Sequence, residues 1–203
     1  MSTPKRIEFY WDVGSTNTYF ALHLIRPLAA RHSATVVMHP FNLGYVFRHH
    51  GYGLADEPAA KLRHRRRDLE RWAVKYNLPF RMPDRFPIKT SRALRGAIAT
   101  RAHGLETEYI SAIFHRYWEC NDPSIAEDAG LAAVAEELGI APQAFLAACE
   151  SEPVRQALID STQEGLARGV FGAPSFIIDG ELYWGKDRMD FIEDALSRYI
   201  ISE

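Results

Sequence analysis

The chain has 203 residues, 47% of them hydrophobic and 25% charged, with a formal net charge of −2. That is the composition of a globular protein with one substantial domain, or one domain carrying a large insertion. The near-neutral charge gives no footing for nucleic acid or an anionic membrane as partner, and no apolar run approaches the ~18–20 residues of a membrane span.

The N-terminus has basic residues but runs into an acidic strand, not an apolar signal core, so no export signal is read and a cytoplasmic location is expected. Residues 7–12 read as a buried strand that breaks at Asp12-Val13-Gly14. A helix is predicted over 16–31, with Ser15 at its start and Tyr19, Phe20, Leu22, Leu24, Ile25 and Leu28 on its inner side. Thr35 to His39 is a second strand, closed by Pro40. Strand, helix and strand within so short a span make a right-handed βαβ unit with parallel strands.

From Phe41 the pattern changes. Residues 41–57 read as a loop, with Gly44, Gly51, Gly53 and two adjacent histidines and no periodicity. Pro58 opens a charged helix to about Asn77, and 78–90 is a Pro-rich connection. Helical patterns follow at about 91–102, 105–119, 124–138, 142–149 and 153–168. Strands return at 175–178 and 182–184, flanking Asp179-Gly180-Glu181, a strong hairpin signal. Asp187 is expected to cap a last helix carrying Met189, Phe191, Ile192, Leu196 and Ile200.

The order βαβ, a block of helices, then ββα predicts an α/β chain with one four-stranded sheet covered on both faces. This is the thioredoxin-like arrangement. The sheet domain falls to residues 1–40 and 168–203, and a helical insertion domain to 41–167.

Two places carry the candidate chemistry. A strand running into a helix start makes a local site for negative charge, since the first backbone N–H groups are unpaired and the dipole adds to them. Ser15 lies there, either as a cap alone or as part of an anion site. Gly172-Ala173-Pro174-Ser175 precedes the third strand, as a plain strand boundary or as a cis peptide at Ala173–Pro174. In this topology the cis form would face the first helix and offer the Ala173 backbone to an extended peptide ligand.

Redox relatives of this fold carry Cys-x-x-Cys at that helix start. Here it reads Ser15-Thr16-Asn17-Thr18, so dithiol exchange by the protein is excluded, while a hydroxyl remains that can stabilise an arriving thiolate. The two cysteines, Cys120 and Cys149, are read as reduced core thiols, with a disulfide as the alternative. The basic run Arg63 to Arg67 is followed by Asp68 and Glu70 and reads as a solvated or subunit-facing helix surface. His49, His50 and His64 lack metal-ligand spacing, and no metal is expected. Trp72, Tyr117 and Trp118 read as core.

IEFYWDVGSTNTYFA, the helix from Lys61 through RDLERWA, and GVFGAPSFIIDGELYWGKDRMDFI together resemble the 2-hydroxychromene-2-carboxylate isomerase family. That family is related to kappa-class glutathione transferases within the DsbA-like thioredoxin folds. The resemblance implies glutathione as a cofactor that is not consumed and a small aromatic 2-oxo acid as substrate. It also implies a homodimer and a place in aromatic catabolism. It assigns Ser15 to hydrogen-bonding the glutathione sulfur, with Thr16 and Asn17 beside it. Ala173 and Pro174 fall to its cysteinyl part, Lys186 and Asp187 to its γ-glutamyl end, and Lys61 to the glutathione or substrate side. Departures are Thr16 where most members have Pro, Tyr52 near an expected Asn, and Lys89 where Asn is usual. Lys89 is expected either to hold a substrate carboxylate or to mark a different substrate, with Tyr52 and Asn42 also on the substrate side. The alternatives are a kappa-type transferase or peroxidase and a thioredoxin-like binding protein without turnover.

Overall fold

Strand β1 (Arg6–Trp11) is the axis of the sheet. Its residues alternate between two cores: Ile7, Phe9 and Trp11 enter the larger one and Tyr10 the smaller. That alternation is what a strand with both faces covered requires. The computed structural model describes residues 5–53 and 57–197.

Helix α1 (Thr16–Arg31) carries β1 over to β2 (Thr35–Pro40), which pairs parallel to it from Arg6–Thr35 to Trp11–Pro40. Strands β3 (Ser175–Ile178) and β4 (Glu181–Trp184) form the expected hairpin, and β3 lies antiparallel to β1. The order β2-β1-β3-β4 therefore closes the predicted four-stranded sheet. At the hairpin tip Asp179 and Gly180 both have positive φ, 51° and 86°. An Asp-Gly pair tolerates that backbone.

The helices between β2 and β3 are α2 (Leu43–His49), α3 (Ala59–Tyr76), α4 (Ser91–Thr100), α5 (Glu106–Trp118), α6 (Asp128–Glu137), α7 (Pro142–Glu150) and α8 (Glu152–Ala167). Short 3-10 turns lie at Arg101–His103 and Pro123–Ala126. Helix α9 (Met189–Ser197) packs on α1.

Several expectations are corrected. Residues 41–57 are not all loop, since α2 forms within them. Its start is fastened from outside its own pattern, by Asn42 accepting from Tyr45 N at 3.2 Å and by Asp12 accepting from Leu43 N at 2.9 Å. The helix predicted over 124–138 begins at Asp128, after a turn capped by Asp122. Helix α9 opens two residues after Asp187, whose carboxylate pairs with Arg188 at 2.7 Å. Cys149 is a buried free thiol, but Cys120 is exposed just beyond α5. Tyr117 and Trp118 are fully buried, whereas Trp72 is half-buried. Ile200 lies outside the described residues.

Helices α4 and α5 approach closely at Gly96. A Cβ there would lie 2.0 Å from the hydroxyl of fully buried Tyr109. That hydroxyl donates to the Ala93 carbonyl at 3.1 Å, so the ring cannot swing away without losing the bond. Gly96→Ala should destabilise the fold by about 2–3 kcal/mol, read as a lower urea midpoint at unchanged slope.

Candidate active site

The turn between β1 and α1 is built by Asp12. One carboxylate oxygen accepts from Gly14 N at 2.8 Å, and the Asp12 carbonyl accepts from Ser15 N at 3.1 Å. Such side-chain-to-backbone bonds are how an aspartate fixes a tight turn. Trp118 on α5 adds a third anchor, its Nε1 donating to the Val13 carbonyl at 2.7 Å. A Cβ on Gly14 would stand 2.9 Å from Cγ2 of Thr90, so that residue must be small.

Ser15 follows with extended backbone, φ −93° and ψ 118°, as the N-cap of α1. Its Oγ accepts from Thr18 N at 3.2 Å, and its hydroxyl donates to the Ala173 carbonyl at 2.9 Å. Capping and facing the opposite loop are both done by one side chain. The Ala173–Pro174 peptide is cis, as the topology led us to expect, and both residues are buried. The loop is held from behind by Ser175 Oγ donating to the Gly172 carbonyl at 2.7 Å and by Gly185 N donating to the Pro174 carbonyl at 3.0 Å. Gly185 has φ +114°, and a Cβ on it would meet an Asp187 carboxylate oxygen at 2.5 Å.

Lys186 comes next in the chain. Its ammonium sits 4.5 Å from the Trp72 ring centroid and 3.6 Å from an Asp68 carboxylate oxygen. Burial lowers its pKa, while Asp68 and Asp187 pull the other way. Asp187 is exposed.

The other sequence-predicted residues lie as follows. Thr16 and Asn17 form the first turn of α1, half-exposed. Asn42 caps α2 and its backbone N–H donates to Thr162 Oγ1 at 3.2 Å. Tyr52 and Lys61 share Glu57, at 3.1 and 3.0 Å. Lys89 is exposed beside buried Thr90. The structure thus brings Ser15, Ala173 and Pro174 together and ties Lys186 to them through Gly185. Tyr52 and Lys61 meet at Glu57, just before α3.

A hydroxyl donor at a helix N-terminus, opposite a backbone edge, is suited to an arriving thiolate. The chain itself offers none there: Cys120 lies just beyond α5, and burial pushes the Cys149 thiol up to about 12. The Ser15 hydroxyl and the facing Ala173–Pro174 loop are therefore open to a thiol carried in by a ligand. Thr18 Oγ1, one turn into α1, is buried with no hydrogen-bond partner among the described residues. No group of three His, Cys, Asp or Glu suited to a metal is found among the described residues. No helix among them is long and apolar enough to cross a membrane.

Sequence reading missed Asp12, Trp118 and the Asp68–Trp72 seat of Lys186 as parts of this region. Asp12 did leave a signal, an acidic residue between an apolar strand and a helix cap. The other two are long-range contacts with no local signature.

Residues 6–197 match the family model of the DSBA-like thioredoxin domain. A 2-hydroxychromene-2-carboxylate isomerase from Sphingobium xenophagum is 30% identical over 195 residues, covering 95% of this chain and 98% of the relative. The chain belongs to this isomerase family of DSBA-like thioredoxin domains. A solved structure of a 2-hydroxychromene-2-carboxylate isomerase has a TM-score of 0.81 to this chain at 26% identity, over 94% of each. Glutathione S-transferase kappa 2 of Caenorhabditis elegans is 26% identical over 212 residues, covering 97% of this chain and 94% of the relative. The isomerases and kappa transferases among its relatives support an enzymatic function of that kind.

Asp12 makes the stability of this region depend on pH. Burial raises its pKa from 3.8 to about 6, against the pull of its three donors, Gly14, Leu43 and Thr90. A raised folded-state pKa contributes stability that is complete below about pH 4 and lost as pH rises through about 6. The wild type's stability relative to Asp12→Asn should therefore fall between pH 4 and pH 7, measured by urea unfolding at each pH.

Proposed function

We propose that the chain is a glutathione-dependent isomerase of 2-hydroxychromene-2-carboxylate or a related aromatic 2-oxo acid. The observation that carries this is the Ser15 hydroxyl, held at the N-cap of α1 and aimed at the carbonyl before Pro174. Glutathione held there would supply a thiolate for reversible addition to a conjugated 2-oxo acid, without being consumed.

The chain's own residues do the rest. Ser15 Oγ keeps the Thr18 N–H bond while its hydroxyl turns from the neutral Ala173 carbonyl to an anionic sulfur, a stronger, charge-assisted acceptor. The α1 dipole adds to that stabilisation. Ala173 pairs with the peptide part of the cofactor, and Lys186 and Asp187 receive its charged end, with Thr16, Asn17, Pro174 and Lys61 completing the cofactor side. Lys89 holds a substrate carboxylate, with Asn42 and Tyr52 near the substrate. Residues 41–167 act as an insertion domain roofing the pocket of the sheet domain. We further propose that the enzyme works in the cytoplasm as a homodimer, in aromatic catabolism.

An ultraviolet assay of 2-hydroxychromene-2-carboxylate with and without glutathione tests the reading, and a flat trace in both removes the named reaction. The kappa-class relatives favour one second reading, a transferase that consumes glutathione. Free glutathione should stay constant over many turnovers for an isomerase and fall for a transferase.

Ser15→Ala should reduce kcat/KM by about tenfold or more, the scale of losing one donor to a developing anion. Because Ser15 also caps α1, the same change should cost about 1 kcal/mol of stability. Steady-state kinetics and urea unfolding on one preparation give both values. Lys89→Asn should raise the substrate KM while leaving the glutathione dissociation constant within about twofold, by calorimetry and initial rates.

A further inference from the structure

Three segments that carry candidate residues converge on one buried side chain outside the set assigned above. Asp12 is 1% exposed. One of its oxygens accepts from Gly14 N at 2.8 Å; the other accepts from Leu43 N at 2.9 Å and from Thr90 Oγ1 at 3.1 Å. Gly14 precedes Ser15, Leu43 follows Asn42, and Thr90 follows Lys89. Among the described residues no ion pair reaches the carboxylate.

An unpaired buried charge is costly, and an apolar residue of similar size would avoid that cost. What only a carboxylate offers is two acceptor oxygens at fixed separation, enough to serve donors from three separate stretches of chain. Asparagine cannot replace it. Its NH2 group would face either the Gly14 N–H or the Leu43 N–H, leaving one of them opposed by another donor. Leu43 and Thr90 share an oxygen, so α2 and the start of α4 are set against each other as well as against the turn before Ser15. The Thr90 methyl packs against Gly14 and reinforces the same register.

We propose that Asp12 is the positioning residue of this site, setting the distance from Ser15 to the substrate-side residues Asn42 and Lys89. The inference rests on the reading that Ser15 serves a thiolate while Asn42 and Lys89 face the substrate. Reacting groups held by different segments lose rate steeply with misplacement, by as much as ~100-fold for about 1 Å. A single internal carboxylate is a rigid way to prevent that.

Two isosteric variants test it, with reduced glutathione and 2-hydroxychromene-2-carboxylate as probes. Asp12→Asn removes one of the two acceptor oxygens. It should speed amide exchange at Gly14 or at Leu43, whichever faces the NH2 group, and lower kcat/KM by about tenfold or more. Thr90→Val keeps the methyl contact and the two backbone bonds but releases the segment beside Lys89. It should raise the substrate KM by about threefold or more, with exchange at Gly14 and Leu43 unchanged and the glutathione dissociation constant within about twofold. A purely structural role for Asp12 would lower stability without that split. The proposal is overturned if Thr90→Val moves substrate and glutathione constants by the same factor, or moves neither. It is also overturned if folded Asp12→Asn leaves exchange at both Gly14 and Leu43 at the wild-type rate. Should Asp12→Asn fail to fold, Thr90→Val still decides. If the wild type shows no turnover the isomerase reading falls, and the exchange rates with glutathione affinity still judge Asp12.

Discussion

A carboxylate buried without a cation survives only where enough donors meet it, and Asp12 meets three. They come from its own turn, from the start of α2 and from the residue before α4, separated by up to 78 positions in the chain. The turn before Ser15 has its shape because Gly14 and Ser15 both bond back to Asp12. Helix α2 exists, in a stretch with no helical periodicity, because its first amide finds an acceptor there and Asn42 caps the next turn. The active-site end of the sheet is thus organised around a polar bond cluster, with the apolar cores packed on either side.

The sheet then brings the opposite loop to Ser15. Strand β1 pairs with β2 on one side and with β3 on the other, so the segment before β3 must return to the end of β1 where α1 starts. The hydroxyl of Ser15 bridges the two halves through Ala173, while its oxygen caps α1. Two duties on one side chain make Ser15 both a structural residue and the candidate donor to a thiolate. Lys186 is held in a different manner: its ammonium lies over Trp72 and near Asp68, which seats the charge half out of water beside the loop. Arg and Lys over an indole face gain on the order of 0.5–2 kcal/mol, enough to bias one rotamer.

Much of this was legible beforehand. The apolar runs of β1 and β2 and the Asp179-Gly180 turn located the sheet strands within about one residue. The missing cysteines at the start of α1 excluded dithiol chemistry, and Pro174 before β3 marked the facing loop. Helix α2 escaped because its stabilising acceptor belongs to β1's own turn, a contact no local pattern announces. Asp187 was expected to cap α9, but the chain bends at Gly185 and Asp187 pairs with Arg188 instead. Cys120 was expected in the core because it follows a helical pattern. That helix stops at Trp118, and the thiol falls outside the packed face.

Local sequence determined the elements, their order and the residue types offered at the two facing loops, because strand alternation, caps and turns depend on neighbours a few positions apart. Only the tertiary structure decided which residues share an environment. It set Asp12 against Leu43 and Thr90, Trp118 against Val13, and Lys186 against Trp72. Those pairings depend on how the helices between β2 and β3 pack onto the sheet. Packing of that kind is settled by the shape and burial of whole faces, which no window of the chain contains.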